Sequence, residues 1–288
     1  MAQIIISGLA MGCIYALVAL GSIIIFKSTN LLNFAQGELV MFAAYLGVTT
    51  STRLELPLSI AMAVTVVLCG LMGMLFELIC YRPLRGKPGS TVIIATIGVS
   101  IALQNLATIV WGPYPLSMPL FGGSDPITLL GVALLPQNIV IMVFTFTLLA
   151  LLFSMYSKSS IGRMMQATAQ DTEAARLMGI KVNRIILVTF VLSGVLAGSA
   201  GFLLGPLFLV NCTVGFSAML KGWSASIIGG FGNLEGAVLG ALFLGVVEAL
   251  TAGYVSTAYK DAIAFAILIL VLLVAPQGFF GEKIGEKV

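Results

Sequence analysis

The chain has 288 residues, of which 59% are hydrophobic and only 9% charged, and it carries a net charge of +3. A soluble domain cannot hide that much apolar surface, so the composition demands a polytopic helical membrane protein. The small, scattered charge argues against a nucleic-acid partner, and the absence of histidine removes His-based metal sites, Ser-His triads and imidazole proton relays.

A spanning helix needs about 20 apolar residues. In chain order, spans are predicted near Ile4–Phe26, Gly37–Thr50, Pro57–Cys80, Thr91–Val110, Asn138–Tyr156, Ile185–Leu204, Ser217–Ile228, Ala237–Leu250 and Ala262–Ala275. The fold class is therefore an all-α transmembrane bundle of eight or nine segments. Gly37–Thr50, Ser217–Ile228 and Ala237–Leu250 are short, and are expected to be tilted, broken or re-entrant. Ile4–Phe26 is too long for a signal-peptide core of about 7–15 residues and has no basic flank before it, so it reads as the first span. No linker or soluble domain is visible, and residues 1–288 read as one membrane domain.

Orientation follows the basic residues. Lys27, then Arg82, Arg85 and Lys87, then Lys158, Arg163, Arg176, Lys181 and Arg184, and finally Lys283 and Lys287 fall on one side. Trp111–Gln137 and Gly205–Leu220 have no Lys or Arg, and Arg53 is a minor exception. The positive-inside rule puts the basic loops in the cytoplasm, the N-terminus outside and the C-terminus inside.

Between Ser157 and Arg184 lies a compact polar stretch that reads as two short helical pieces docking against a soluble partner. Asp171 is a good N-cap, with Glu173 in the favourable first turn. Ala174, Leu177 and Met178 share one helical face, and Gly179 supplies the stop. Small-xxx-small pairs at Gly8/Gly12, Gly194/Gly198, Gly201/Gly205 and Gly236/Gly240 suit close helix packing, within the chain or against a second membrane subunit. The four cysteines show no CxxC spacing and read as small buried hydrophobes.

Two segments echo each other. Asn33–Glu38 and Gly229–Gly236 each bring Asn, Gly and Glu to the start of a short apolar run. Paired interruptions in two halves point to a transport path, which here would use Asn33, Gln36, Gly37, Glu38, Gly230, Gly232, Asn233 and Glu235. The other reading is a pair of tight turns whose Glu residues favour helix N-termini. Glu77 is expected in an interfacial ion pair or snorkelling, and Glu248 reaching headgroups. Gln104 and Asn105 are expected to hydrogen-bond between helices or to line a polar pathway, and Phe34 and Phe231 to pack. No G-x-x-x-x-G-K-[ST] occurs, and no catalytic residue or metal ligand set is expected.

Five motifs in order resemble the branched-chain amino acid ABC transporter permeases of the high-affinity leucine/isoleucine/valine type. They are Asn33-Phe34-Ala35-Gln36-Gly37-Glu38, Glu77-x3-Tyr81-Arg82-Pro83-Leu84-Arg85-Gly86, the Gly162–Ile180 loop, Ile227–Ala237 and Pro276–Gly281. Gln36 stands where many members have His, and Gln166 where many have Arg. The resemblance implies an ATPase-coupling loop using Gly162, Arg163, Ala167, Asp171, Glu173, Ala174, Leu177 and Gly179. It implies a second related permease, two cytoplasmic ATPases that hold the ATP, an external solute-binding protein, and residence in a bacterial inner membrane among lipid. The chain itself would carry no cofactor. A permease for urea or short amides, a proton-coupled secondary transporter using Glu38 and Glu235, and an intramembrane enzyme are the alternatives. The docking loop argues against the secondary transporter, and the lack of a catalytic constellation against the enzyme.

Overall fold

The computed structural model describes residues 1–123, 125–129 and 132–281. Lys283 and Lys287 lie outside the described residues. Helix α1 (Ala2–Thr29) runs the full thickness of the bundle and ends at Asn30, whose left-handed φ of 55° breaks it. The chain turns back inward and α2 (Gln36–Val48) begins, prolonged by a π-helical turn over Thr49–Arg53. Pro57 precedes α3 (Leu58–Phe76), which continues through a second π-helical turn, Glu77–Tyr81, into the one-turn α4 (Arg82–Leu84). Helix α5 (Gly89–Trp111) follows Pro88 and stops at Gly112, φ 87°. A small hairpin, β1 (Ile127–Leu129) against β2 (Val132–Leu134), lies in the connection to α6 (Pro136–Lys158). Then come α7 (Ser160–Gln170), α8 (Thr172–Leu177), α9 (Val182–Leu204), α10 (Val214–Gly229), α11 (Leu234–Tyr254) and α12 (Lys260–Val274).

Among the described residues, seven helical segments are long and apolar enough to cross a membrane. The short helices α2 and α10, of 13 and 16 residues, are the broken segments that the sequence predicts. The third short span does not survive. Ala237–Leu250 is part of α11, a full 21-residue helix. Its apolar pattern is shortened at both ends by polar Glu235 and by Gly253 and Tyr254, which stay helical.

Helices alternate in direction, so their ends define two faces. The basic face gathers Lys27, Arg82, Arg85, Lys158 and the α7–α8 loop, with Lys27 over the Tyr156 ring and Arg85 donating to Asn183. The opposite face carries the hairpin and the Leu116–Val210 bridge.

The architecture repeats itself upside down. Helix α1 packs most extensively on α11, and α9 on α3. In the first pair, Gly8 and Gly12 meet the backbone of Val246 and Leu242. In the second, Gly194 and Gly198 meet Cys69 and Val66. A Cβ at Gly37 would sit 2.7 Å from the Gly215 carbonyl oxygen, so α2 and α10 touch backbone to backbone near their starts. Thus α1–α2–α3 and α9–α10–α11 are related as an inverted repeat, a common plan for transporters. The other small-xxx-small glycines also meet the chain itself: Gly201 faces Val40 O of α2, Gly205 faces Met118, and Gly236 and Gly240 face Gly229 and Ala225 of α10. The outer faces of α5 and α12 expose Ile94, Ile109, Leu273 and Val274, as expected where lipid replaces water.

Candidate functional site

The first candidate site is the break between α1 and α2. Gln36 packs against Gly21, eight residues before the end of α1 and so about 12 Å inside the bundle by helix rise. Asn33 Oδ1 accepts from the Ala35 amide at 3.0 Å and turns the chain into α2. The Phe34 amide donates to Thr96 Oγ1 at 3.3 Å, while its ring meets Trp223 edge-on. Gln36 is fully buried; its Oε1 accepts from Ser193 Oγ at 2.8 Å. Gly21 matters here, because a Cβ there would fall 2.7 Å from Gln36 Nε2.

Glu38 is also fully buried, in the first turn of α2. Its Oε1 accepts from Ser100 Oγ at 2.8 Å and from Gln104 Nε2 at 2.9 Å. Its Oε2 has no hydrogen-bond partner among the described residues. Gln104 thus bonds between helices, as its place in an apolar span predicts; Asn105 instead donates to Ile101 O of its own helix. The half-helix α2 thus points its positive end into the bundle, beside a carboxylate and neutral amides. Irregular backbone at this depth is tolerated because protein surrounds it.

The second echo segment sits elsewhere. Phe231 packs 4.7 Å from Phe26 at the basic end of α1. Gly230 (φ 114°) and Gly232 (φ 93°) make a tight turn between α10 and α11. Asn233 caps α11, its Oδ1 accepting from Glu235 N at 3.0 Å and Gly236 N at 3.1 Å, and its Nδ2 donates to Phe280 O. Glu235 is exposed. Gly230, Gly232, Asn233 and Glu235 therefore form a capped turn at the basic face, far from the depth of Glu38. The inverted partner of the Asn33–Glu38 break is the stretch before Gly215. Composition alone matched the wrong pair, because capped turns and buried breaks use the same residues.

The loop on the basic face is built as the sequence predicts. Ser159 caps α7 by accepting from Gly162 N at 3.0 Å. Gly162 is buried, and a Cβ there would strike the Tyr156 carbonyl oxygen. Gln166 does not face outward; its Nε2 donates to Tyr156 O at 2.9 Å and closes the end of α6. Ala167 is half-buried, and the exposed Arg163 donates to Lys158 O. Asp171 Oδ1 accepts from Glu173 N at 2.8 Å and Ala174 N at 3.0 Å, and Gly179 follows with φ 82°. Only Ala175 of α8 is buried, against a cluster that includes Val182 and Ile186. Leu177 and Met178 are 89% and 84% exposed, and Ala174 is exposed beside them.

Two further acids, Glu77 and Glu248, are buried and ion-paired. Glu77 forms a two-pronged ion pair with Arg82, at 3.2 and 2.9 Å. The π-helical turn makes it possible by bringing residues five apart into line. Glu248 does not reach headgroups; it is 5% exposed and paired with Lys221 at 2.7 Å. Lys221, Lys260 and Asp261 belong to no motif in the sequence. The available signal was a lone lysine inside an apolar run, with an acid inside another.

Residues 4–272 match the protein family described as branched-chain amino acid transport system, permease component. A high-affinity branched-chain amino acid transport permease protein, LivH of Salmonella typhimurium, is 34% identical over 99% of this chain and 97% of its own length. BraD of Pseudomonas aeruginosa is 36% identical over the same shares of both chains. A probable LivH of Methanocaldococcus jannaschii is 29% identical, covering 92% of this chain and 88% of its own. The spans, the breaks and the capped loop are thus features of a multi-pass membrane permease, and the chain belongs to the family of permease components of branched-chain amino acid transport systems.

Proposed function

We propose that this chain forms half of the translocation path of an ATP-driven importer for branched-chain amino acids in a bacterial inner membrane. It pairs with a second related permease, two cytoplasmic ATPases and an external solute-binding protein. The basic face is cytoplasmic, which puts the N-terminus outside and the C-terminus inside. The solute class follows from the relatives' names.

The observation that carries the reading is α8. It buries Ala175 and leaves Ala174, Leu177 and Met178 bare on the basic face. An amphipathic helix of this kind fits a groove on a soluble partner. Its caps hold it rigid, so a push from that partner passes through Ala175 to α9. The break at Asn33–Glu38 contributes a polar lining through Gln36 and Glu38.

The test uses the assembled transporter in proteoliposomes. Leu177→Asp, or Ala174→Glu, is expected to leave the chain in the membrane and ATP hydrolysis running, while leucine uptake falls to background. Uptake at the normal rate in both variants, at normal expression, removes α8 as the coupling element. Orientation is tested with Gln170→Cys, which should react with a membrane-impermeant maleimide only from the cytoplasmic side.

A further inference from the structure

Lys221 stands halfway along α10 and is 8% exposed. Its Nζ is 2.7 Å from Glu248 Oε1 and 2.8 Å from Asp261 Oδ1. Tyr15 donates its hydroxyl to Glu248 Oε2 at 2.6 Å, and its ring lies under the lysine ammonium at 5.5 Å. Helices α1, α10, α11 and α12 all meet here. Glu248 is fourteen residues into α11, so the cluster lies about 20 Å from the basic face by helix rise.

Packing does not explain these charges. A buried ion pair stabilises no better than apolar side chains of the same volume. The same helices already have their close contacts, from Gly8 and Gly12 on α11 and from Gly240 against Ala225 O. Ionisable groups at such depth mark sites for polar ligands.

A cavity of about 460 Å³ opens beside the cluster, walled by the 205–213 segment and the start of α12, both belonging to the opposite face. Lys221, Lys260 and Asp261 line it together with Leu207, Phe208 and Val214. Inside, Lys221 and Glu248 neutralise each other. Asp261 shares Lys221 with Glu248 but keeps its side chain 55% exposed, and the neighbouring Lys260 is held 5.5 Å over the Phe208 ring, so the cavity mouth carries one charge of each sign on adjacent residues.

From this we infer that the cavity binds a small zwitterion with an apolar side chain, a free amino acid, on its way in from the opposite face. The solute carboxylate takes the Lys221 and Lys260 ammonium groups, and its ammonium takes Asp261. Lys221 then exchanges one carboxylate for another, and charges continue to alternate. The apolar wall receives the side chain. A neutral solute such as urea gains nothing from this arrangement. The inference rests on the importer reading and assigns a solute site within this chain.

The experiment uses the assembled transporter in nanodiscs, with Cys13, Cys69, Cys80 and Cys212 replaced by Ser and a single reporter, Ser217→Cys, on the cavity wall. Maleimide labelling is timed with L-leucine, L-leucinamide, 4-methylpentanoate or urea. L-leucine is expected to slow labelling several-fold, and the three probes that lack one or both charges much less. The double variant Lys221→Gln with Glu248→Gln removes both buried charges together, and the two amides can still donate toward Asp261 and accept from Tyr15. It should label at the unprotected rate with or without leucine and be made in normal amounts. Asp261→Asn should weaken protection alone. Protection by urea or 4-methylpentanoate equal to that by leucine overturns the zwitterion assignment. Absence of leucine protection in an assembly that still imports leucine overturns the site and leaves the importer reading standing. Leucine protection in an assembly that imports no leucine overturns the importer reading instead.

Discussion

Asn33–Glu38 and Gly229–Gly236 are made of the same residue types, and the structure puts them in opposite environments. In the first, Glu38 is fully buried and Gln36 is locked to Ser193. In the second, Glu235 is exposed and Asn233 serves a cap. The difference is one of depth, and depth is set by what precedes each segment. Helix α1 is long enough to reach the basic face, so the six residues after it must re-enter before α2 can start. Helix α10 starts inside, beside Gly37, and has only just reached the basic face when its turn begins. A helix N-terminus inside the bundle aims its dipole at buried groups; one at the surface aims it at water.

The sharpest way to break this contrast is through its glycines. A side chain at Gly37 meets the Gly215 backbone oxygen at 2.7 Å, and neither half-helix can retreat without moving its whole repeat. Gly37→Leu is expected to cost the upper part of the roughly 1–3 kcal/mol typical of overpacking. It should show as loss of monodisperse protein in a thermal series followed by size exclusion. Gly232→Ala meets open space and is strained only by φ 93°. It should cost about 1 kcal/mol and leave uptake intact. Equal losses would mean that α2 and α10 do not pack as described.

The carboxylates come next. Glu38→Ala leaves Ser100 Oγ and Gln104 Nε2 without their shared acceptor, at about 1–3 kcal/mol for each donor left unpaired. Glu38→Gln keeps an acceptor and should recover most of the stability. Glu235→Ala loses only a favourable interaction with the α11 dipole, about 0.3–1 kcal/mol. Thermal midpoints of the three purified variants rank them. A Glu235→Ala protein as unstable as Glu38→Ala would refute the difference in depth.

Much of this molecule is legible in its sequence, for identifiable reasons. Spans are read because hydrocarbon imposes a length on apolar runs, and the capped α7–α8 loop because Asp171 and Gly179 each have a local conformational job. Local rules fail where a partner is far away in the chain. Nothing near Lys221 announces Glu248, 27 residues on, or Tyr15 on the first helix. Nothing near Gly37 announces Gly215. The π-helical turn that joins Glu77 to Arg82 is a backbone choice with no strong residue signature, so the pair reads as an interfacial contact without its geometry. The echo between Asn33–Glu38 and Gly229–Gly236 misleads for the same reason. Residue types report local capping, and the inverted repeat is a property of the whole chain.

The asparagines give the smallest effect and the most telling sign. In the other comparisons the buried segment is the more sensitive one. Here the order should reverse. Asn233 accepts from two amides of α11 and donates to Phe280 O, tying the turn to the segment after α12. Asn33 accepts from one amide, and its Nδ2 has no hydrogen-bond partner among the described residues. Replacing a cap by Ala typically costs about 1 kcal/mol. Asn233→Ala should meet or exceed that, whereas Asn33→Ala gives up one bond and frees a buried, unbonded amide nitrogen. Thermal midpoints of the two variants in one detergent measure the difference. Asn33→Ala is then expected to be the milder for stability while still lowering leucine uptake, because the turn it shapes carries Gln36 into place. If Asn33→Ala is instead the more destabilising of the two and uptake per folded molecule is unchanged, the Asn33 turn is a structural brace and the α1–α2 break does not serve the path.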